Sequence, residues 1–425
     1  MSSDQRLESQ ASASMNTPTR AAIGRQAPFF GLLAAHAISL SGNTLTGVAL
    51  PWFVFATTGS AAETGLTAFF GTVPLILGAF LGGSVVDRLG FKRASVLADL
   101  ASSAAVAAIP LLYATVGLQF WQLALFVFLG ALLDAPGVTA RESLLPTVAR
   151  LGQVRLERAN ALYETIQGLA FLIGPALAGI LIVVLGPLNV LWLNAGTFIV
   201  SAILMALTQG PSRVRKAHGP PQSYAREVPA GLRFVLSGRL IRAIILLSTM
   251  LIFLSTPLLS VVMPIYMQSR YDNALGLGAF LSFNGAGGIL GALAYGAWGR
   301  RFSSRLLFIG GLIGVGLGFA LISALPPFPL LLGAAFIVGM SAGPLNPLVN
   351  TVVQKRTPVA MRGRVLGAVT GLALAASPLG VLLAGYFIEL VGIQWTLIGI
   401  TACFLAISFG SLCLRSLREM DGSPK

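Results

Sequence analysis

Charge is scarce in this chain, and acid is scarcer than base. Of 425 residues, 10% are charged and 55% hydrophobic, with 28 Lys and Arg against 14 Asp and Glu. Soluble domains carry about 25% charged residues, so a globule of this length would lack the charge to cover its surface. A membrane as solvent removes that difficulty. Cysteine and histidine number two each. Cys403 and Cys413 on one helix would stand about 15 Å apart, which argues against a disulfide between them. His36 and His218 have no metal-ligand spacing, so no metal is expected. No Walker loop, cofactor loop or nucleophile beside a base occurs, so neither an ATP-driven pump nor an enzyme is expected, and no cofactor. The run "GAGGILG" at 285–291 lies in an apolar stretch without a preceding strand, which excludes a dinucleotide loop. No ring of charges suggests a channel. Residues 1–26 are polar and Ser/Ala-rich without a short apolar core, and read as a disordered tail, not a signal peptide.

What the sequence has in abundance is apolar runs. A membrane helix needs about 20 predominantly apolar residues. Twelve stretches qualify, near 28–57, 62–86, 94–116, 119–145, 159–185, 187–208, 242–268, 273–298, 304–324, 328–354, 362–388 and 393–414. If the N-terminus is placed inside, every cation except Arg270 falls on or near the inner side. The positive-inside bias thus puts both termini in the cytoplasm. It also accounts for the net charge of +14 without nucleic acid, because the cations face anionic lipid headgroups.

The interval 209–240 is the only long polar stretch after the N-terminal tail, and it splits the spans six and six. The expected organisation is a tail (1–26), a six-helix bundle (27–208), a cytoplasmic linker (209–240), a second bundle (241–416) and a tail (417–425). A shift of 203 superposes Gly168-Leu169-Ala170 on Gly371-Leu372-Ala373, Pro175 on Pro378, Trp192 on Trp395 and Gly196 on Gly399. The fold class expected is an all-α membrane protein of twelve transmembrane helices in two pseudo-symmetric six-helix bundles. Such a duplication puts a site between the halves, near the bilayer midplane.

Charge is concentrated in "GGSVVDRLGFKR", 82–93. Gly83 permits close helix approach and Gly90 a tight turn. Asp87, at a helix end, can pair with a nearby cation or a facing helix N-terminus. On the same side, "TPVAMRGR", 357–364, offers Thr357 as an N-cap and Pro358 at the first helical position. The stretch resembles the signature between the second and third helices of the major facilitator superfamily, with Gly83, Asp87, Arg88, Gly90, Lys92 and Arg93 in register and Phe91 in place of a usual base. The resemblance implies that Asp87 engages the start of the eleventh helix when the inner gate is closed. A basic loop that only sets topology is the plainer alternative.

"GLAFLIGPALAG", 168–179, resembles the fifth-helix motif of drug:proton antiporters through Gly168, Gly174, Pro175 and Gly179, with altered spacing. A packing helix bent at proline is the alternative. "LLDAPGVTARESLLPTVA" (132–149), "ERANALYETIQGLAFLIGPALAG" (157–179) and "ALPWFVFATTGS" (49–60) are similar to the bacterial exporter branch that includes macrolide efflux proteins and the enterobactin exporter.

Ionisable residues inside spans are costly and are functional candidates by default. Asp99, Arg141 and Glu142 read as a charge network steadying the inner end. Asp134 and Glu164 read as proton-coupling candidates, since burial and a nearby cation act oppositely on a carboxyl group. Asn43 stands where some relatives have an acid, which speaks against proton coupling on the first helix. The family's geometry implies a cavity lined mainly by helices one, four, seven and ten. Asn43, Gln167, Ser255, Asn284, Asn346 and Asn350 are polar candidates there, with Trp52, Phe253, Met263 and Tyr266 beside them. A mostly apolar cleft with a few amides suits a bulky amphipathic solute.

The expected function is export of amphipathic small molecules, drug or natural product, by alternating access and proton antiport. The partners are the solute, protons and membrane lipid. The expected setting is a monomer spanning the bacterial inner membrane. A dedicated siderophore or lipid transporter, or a transport-dead sensor or scaffold, remain as alternatives.

Overall fold

A computed structural model describes residues 20–208, 233, 238–358 and 361–421, with the side chains of 20–25, 79–84, 363 and 364 excepted. Twelve helices in it are long and apolar enough to cross a membrane. In the first half these are α1 (Arg20–Thr58), α2 (Ala61–Leu89), α3 (Phe91–Thr115), α4 (Phe120–Leu151), α5 (Leu156–Leu185) and α6 (Pro187–Leu207). The second half has α7 (Arg239–Tyr271), α8 (Ala274–Trp298), α9 (Ser304–Ser323), α10 (Phe328–Ala342 and Leu345–Arg356), α11 (Arg362–Ala375 and Ser377–Val391) and α12 (Ile393–Cys413). No strand occurs among the described residues. Every span expected from hydropathy is present. Cys403 and Cys413 are free thiols.

Local sequence explains the ends and breaks. Ser60, Asn273 and Ser303 cap α2, α8 and α9 by accepting from Glu63, Gly276 and Leu306 N–H. Gly90 joins α2 to α3 at φ 80°, a region that favours glycine, as the expected tight turn requires. In α7 a π segment, Leu258–Val262, follows Pro257. Pro257 has no N–H for the Phe253 carbonyl, and Gly380 of α11 packs on that oxygen; a Cβ at Gly380 would lie 2.3 Å from it. α10 is interrupted at Gly343–Pro344 and α11 at Ala376, just before Pro378.

One expectation is corrected. The helix of α1 reaches back to Arg20, inside the segment read as a disordered tail; residues 1–19 lie outside the described part. The C-terminal tail is docked, because Arg415–Asp421 forms a 3₁₀ segment with Leu417 and Met420 buried. Its Asp421 carboxylate accepts from Ser304 N–H at the start of α9, and Arg356 donates to the Glu419 carbonyl. Apolar Leu417 and Met420 anchor this otherwise polar stretch. Of the expected linker 209–240, all but Arg233 and residues 238–240 lies outside the described residues.

The halves touch unevenly. α5 packs on α8 and α2 on α11. A Cβ at Gly65 would lie 2.8 Å from the Gly385 Cα, one at Gly179 would lie 2.6 Å from the Ala274 carbonyl, and one at Gly278 would lie 2.4 Å from the Pro175 carbonyl. All these approaches lie away from the cation-rich end. Leu45, Val48, Ala49 and Trp52 of α1 share one buried core with Tyr266 and Met267 of α7 at that same far end. Nearer the cation-rich end, Gly168 of α5, Gly296 of α8 and Gly367 and Gly371 of α11 face open space among the described residues. There the core of Phe29, Leu32, Leu144, Val148 and Tyr163 belongs to the first half alone.

Candidate transport site

One buried polar set stands inside the first half. Asp134 and Arg141 are seven residues apart on α4, hence on one face. Arg141 Nη1 donates to both Asp99 oxygens on α3, at 2.8 and 3.0 Å. Its Nη2 donates to Ser39 Oγ on α1 at 3.3 Å and lies 3.6 Å from Asp134 Oδ1. Ser201 of α6 donates to Asp99 at 2.7 Å, and Asn43 of α1 donates to Asp134 Oδ2 at 2.8 Å. Gly137, between the two α4 residues, lets α3 approach: a Cβ there would meet that of Ala98 at 3.1 Å. Four helices thus converge on two carboxylates and one guanidinium. Asp99 and Arg141 are 0% and 1% exposed, whereas Asp134 is 14% exposed. Asp134 is the most exposed of the three, with its Oδ1 buried and without a hydrogen-bond partner among the described residues.

Glu142 does not join this set. It and Glu164 are exposed, without a hydrogen bond or ion pair among the described residues. Glu142 directly follows Arg141, so it points to a different face of α4. His36 and Tyr163, which hydropathy reading passed over, lie on the cation-rich side of the set. Their rings stack with centroids 3.9 Å apart and planes at 11°. Both imidazole nitrogens and the Tyr163 hydroxyl are buried without a hydrogen-bond partner among the described residues. The signal was the spacing of His36, Ser39 and Asn43, which forms one polar stripe along α1.

The loop motif takes the expected places: Gly83 in α2, Asp87 and Arg88 exposed at its end, Gly90 in the turn, and Lys92 and Arg93 in the first turn of α3. The expected cap of α11 is corrected. Thr357 is extended, its hydroxyl is buried without a partner among the described residues, and α11 begins at Arg362 after Met361. Met361 N–H bonds to the Pro358 carbonyl, and residues 359 and 360 lie outside the described part. The fifth-helix motif packs between helices. A Cβ at Gly174 would lie 2.5 Å from Thr44 Cγ2 of α1. Pro175 leaves the Phe171 carbonyl without its helical donor, and Gly285 of α8 sits against that oxygen. Ala176 N–H donates to Ser282 Oγ of α8 at 3.1 Å. Gly168 makes no such contact among the described residues.

The cavity candidates separate. Gln167 and Phe253 are half-buried, Asn346 is exposed, and Asn350 donates to Asn346 at 3.1 Å. Asn284 instead ties α8 to α10 by donating to the Ala335 carbonyl at 3.1 Å. Trp52, Met263 and Tyr266 are buried in the shared core and line no open cleft, because α1 and α7 close on each other there.

Comparison with known proteins agrees with this architecture. Residues 19–424 match the family model described as transmembrane secretion effector. The multidrug efflux pump Tap of Mycolicibacterium fortuitum is 34% identical over 94% of this chain and 99% of its own length. Tap of Mycobacterium tuberculosis is 33% identical over 94% and 96%. Macrolide efflux protein A of Streptococcus pyogenes is 20% identical over 92% and 97%. Among solved structures, the nucleoside transporter NupG aligns with a TM-score of 0.75 at 12% identity, covering 91% of this chain and 98% of that one. A bacterial homologue of the human lysosomal transporter Spinster aligns at 0.74 and 14%, covering 94% and 99%. Matched end to end on twelve spans, the chain belongs to the transmembrane secretion effector family of the major facilitator superfamily, a multi-pass membrane transporter and not an enzyme.

Proposed function

We propose that this protein exports amphipathic small molecules, drugs or natural products, from the cytoplasm in exchange for protons. It does so as a monomer of two six-helix bundles in the cell membrane, with both termini inside. The relatives named for multidrug and macrolide efflux support the direction and the solute class. The cation-rich end supports the orientation. The parting of the halves toward that end supports a state open to the cytoplasm, and closure on the far side supports alternating access.

The observation that carries proton coupling is Asp134. Two carboxylates face one guanidinium, so one proton neutralises the set, and buried uncompensated charge is costly. Asp99 is fully enclosed by Arg141 and Ser201, which leaves Asp134 to exchange that proton. Glu164, exposed and unpaired among the described residues, is the second candidate. Solute binding between the halves, beside Gln167, Phe253, Asn346 and Asn350, would then compete with or follow proton release. Asp87, exposed and without a hydrogen bond or ion pair among the described residues, would hold the inner gate when it closes, with Arg88, Lys92 and Arg93 beside it.

The test is purified protein in liposomes with an imposed pH gradient, offered a panel of cationic dyes and macrolides. The reading expects uphill solute movement coupled to opposite proton flow. Solute flux that is indifferent to the gradient would reject proton antiport.

A further inference from the structure

At the end opposite the cations, the first four N–H groups of α2 all find acceptors, and two of the four are served by the other bundle. The first N–H groups of a helix have no partner within it. Ser60 N–H bonds to Thr58 Oγ1 at 3.1 Å, and Glu63 N–H to Ser60 Oγ at 3.2 Å, both local. Ala61 and Ala62 N–H instead donate to one oxygen of Glu389, at 2.8 and 3.2 Å, and Ser60 Oγ donates to the same oxygen at 3.3 Å. Glu389 lies near the C-terminus of α11, more than three hundred residues away in the chain. Directly beneath this contact, α2 and α11 meet backbone to backbone at Gly65 and Gly385. The carboxylate is therefore placed where the helix dipole and two unsatisfied donors favour it, and it reaches them only while the halves are shut at this end.

We infer that Glu389 is the latch of the outer gate: its carboxylate caps α2 in the inward-open state and lets go when the carrier opens outward. The arrangement is reciprocal with the proposed role of Asp87. Asp87 lies at the C-terminus of α2 and would face the start of α11, whereas Glu389 lies near the C-terminus of α11 and faces the start of α2. One pair of helices thus carries a carboxylate at each end, and each state of the cycle satisfies one of them. The inference rests on the alternating-access reading given above.

The test measures populations. Spin labels at Val116 and Ala324 report the outer end, and labels at Leu156 and Phe302 the inner end, in protein with Cys403 and Cys413 replaced. Glu389→Ala is expected to raise the outward-open to inward-open ratio about two- to fivefold, as loss of a carboxylate from a helix N-terminus implies. Glu389→Gln, which keeps an acceptor oxygen, is expected to fall between. Asp87→Asn should move the ratio the other way, and the double variant should return toward the parent. A structural role alone would lower the melting temperature without these opposite signs. If the parent shows both states and Glu389→Ala leaves their ratio unchanged, the latch is wrong. If the parent shows one set of distances under every solute and pH condition, alternating access fails, and the latch with it.

Discussion

Asn43 on α1 and Asp134 on α4 are 91 residues apart in the chain, and the amide donates to the carboxylate at 2.8 Å. The contact makes α1, which carries no acid here, part of the candidate proton site. Asn43→Ala removes one hydrogen bond to a charged group, worth about 1.5–3 kcal/mol when the group is ionised. Gradient-driven transport is expected to slow several-fold, with the fold intact by circular dichroism. An unchanged rate would remove Asn43 from the site.

Asp99 and Arg141 are enclosed, and their pairing reads as structural support for Asp134. Asp99→Asn takes from Arg141 its closer carboxylate and leaves only Asp134, at 3.6 Å, so the loss should approach the scale of a broken buried pair, about 3–5 kcal/mol, without reaching full isolation of the charge. A marked fall in melting temperature in detergent is expected. Replacing all three, Asp99→Leu and Arg141→Met with Asp134→Asn, should recover much of it, because the desolvation cost disappears with the charges and no carboxylate is left without its cation.

Glycines at the α5–α8 contact predict a position-specific effect. Gly278→Ala would set a methyl 2.4 Å from the Pro175 carbonyl, which forces the halves apart. Overpacking of this kind costs about 1–3 kcal/mol. The variant should melt earlier and should admit thiol reagents from outside to a cysteine at Phe253. Gly310→Ala, facing open space among the described residues, should change neither.

Orientation has its own check. A cysteine at Ser223, in a background without Cys403 and Cys413, is expected to react with impermeant thiol reagents in inverted vesicles and not in intact cells.

Hydropathy and cation placement revealed the twelve spans and their alternation, because preference for lipid is summed over some twenty residues and needs no partner. The pair Asp134 and Arg141 was legible for a similar reason, since seven residues bring two side chains to one helix face. Contacts between helices were less so. Whether Arg141 turns to Asp99 or Glu142, and whether Asn284 faces a cavity or α10, depends on the rotation of each helix about its axis, which the small glycine and alanine surfaces set. Glu389 stands near the end of its span, and nothing local in the sequence marks the start of α2 as its partner. The docking of Leu417 and Met420 was hidden by the polar residues around them. His36 was weighed only as a metal ligand, and its stacking on Tyr163 required the fold.

Proton coupling through Asp134 is the central claim, and Asp134→Asn in liposomes tests it most directly. The amide keeps the shape of the side chain but cannot exchange a proton. Solute binding and solute-for-solute exchange should persist, while accumulation driven by a pH gradient should be lost. Gradient-driven accumulation at the parent rate in this variant would contradict the account.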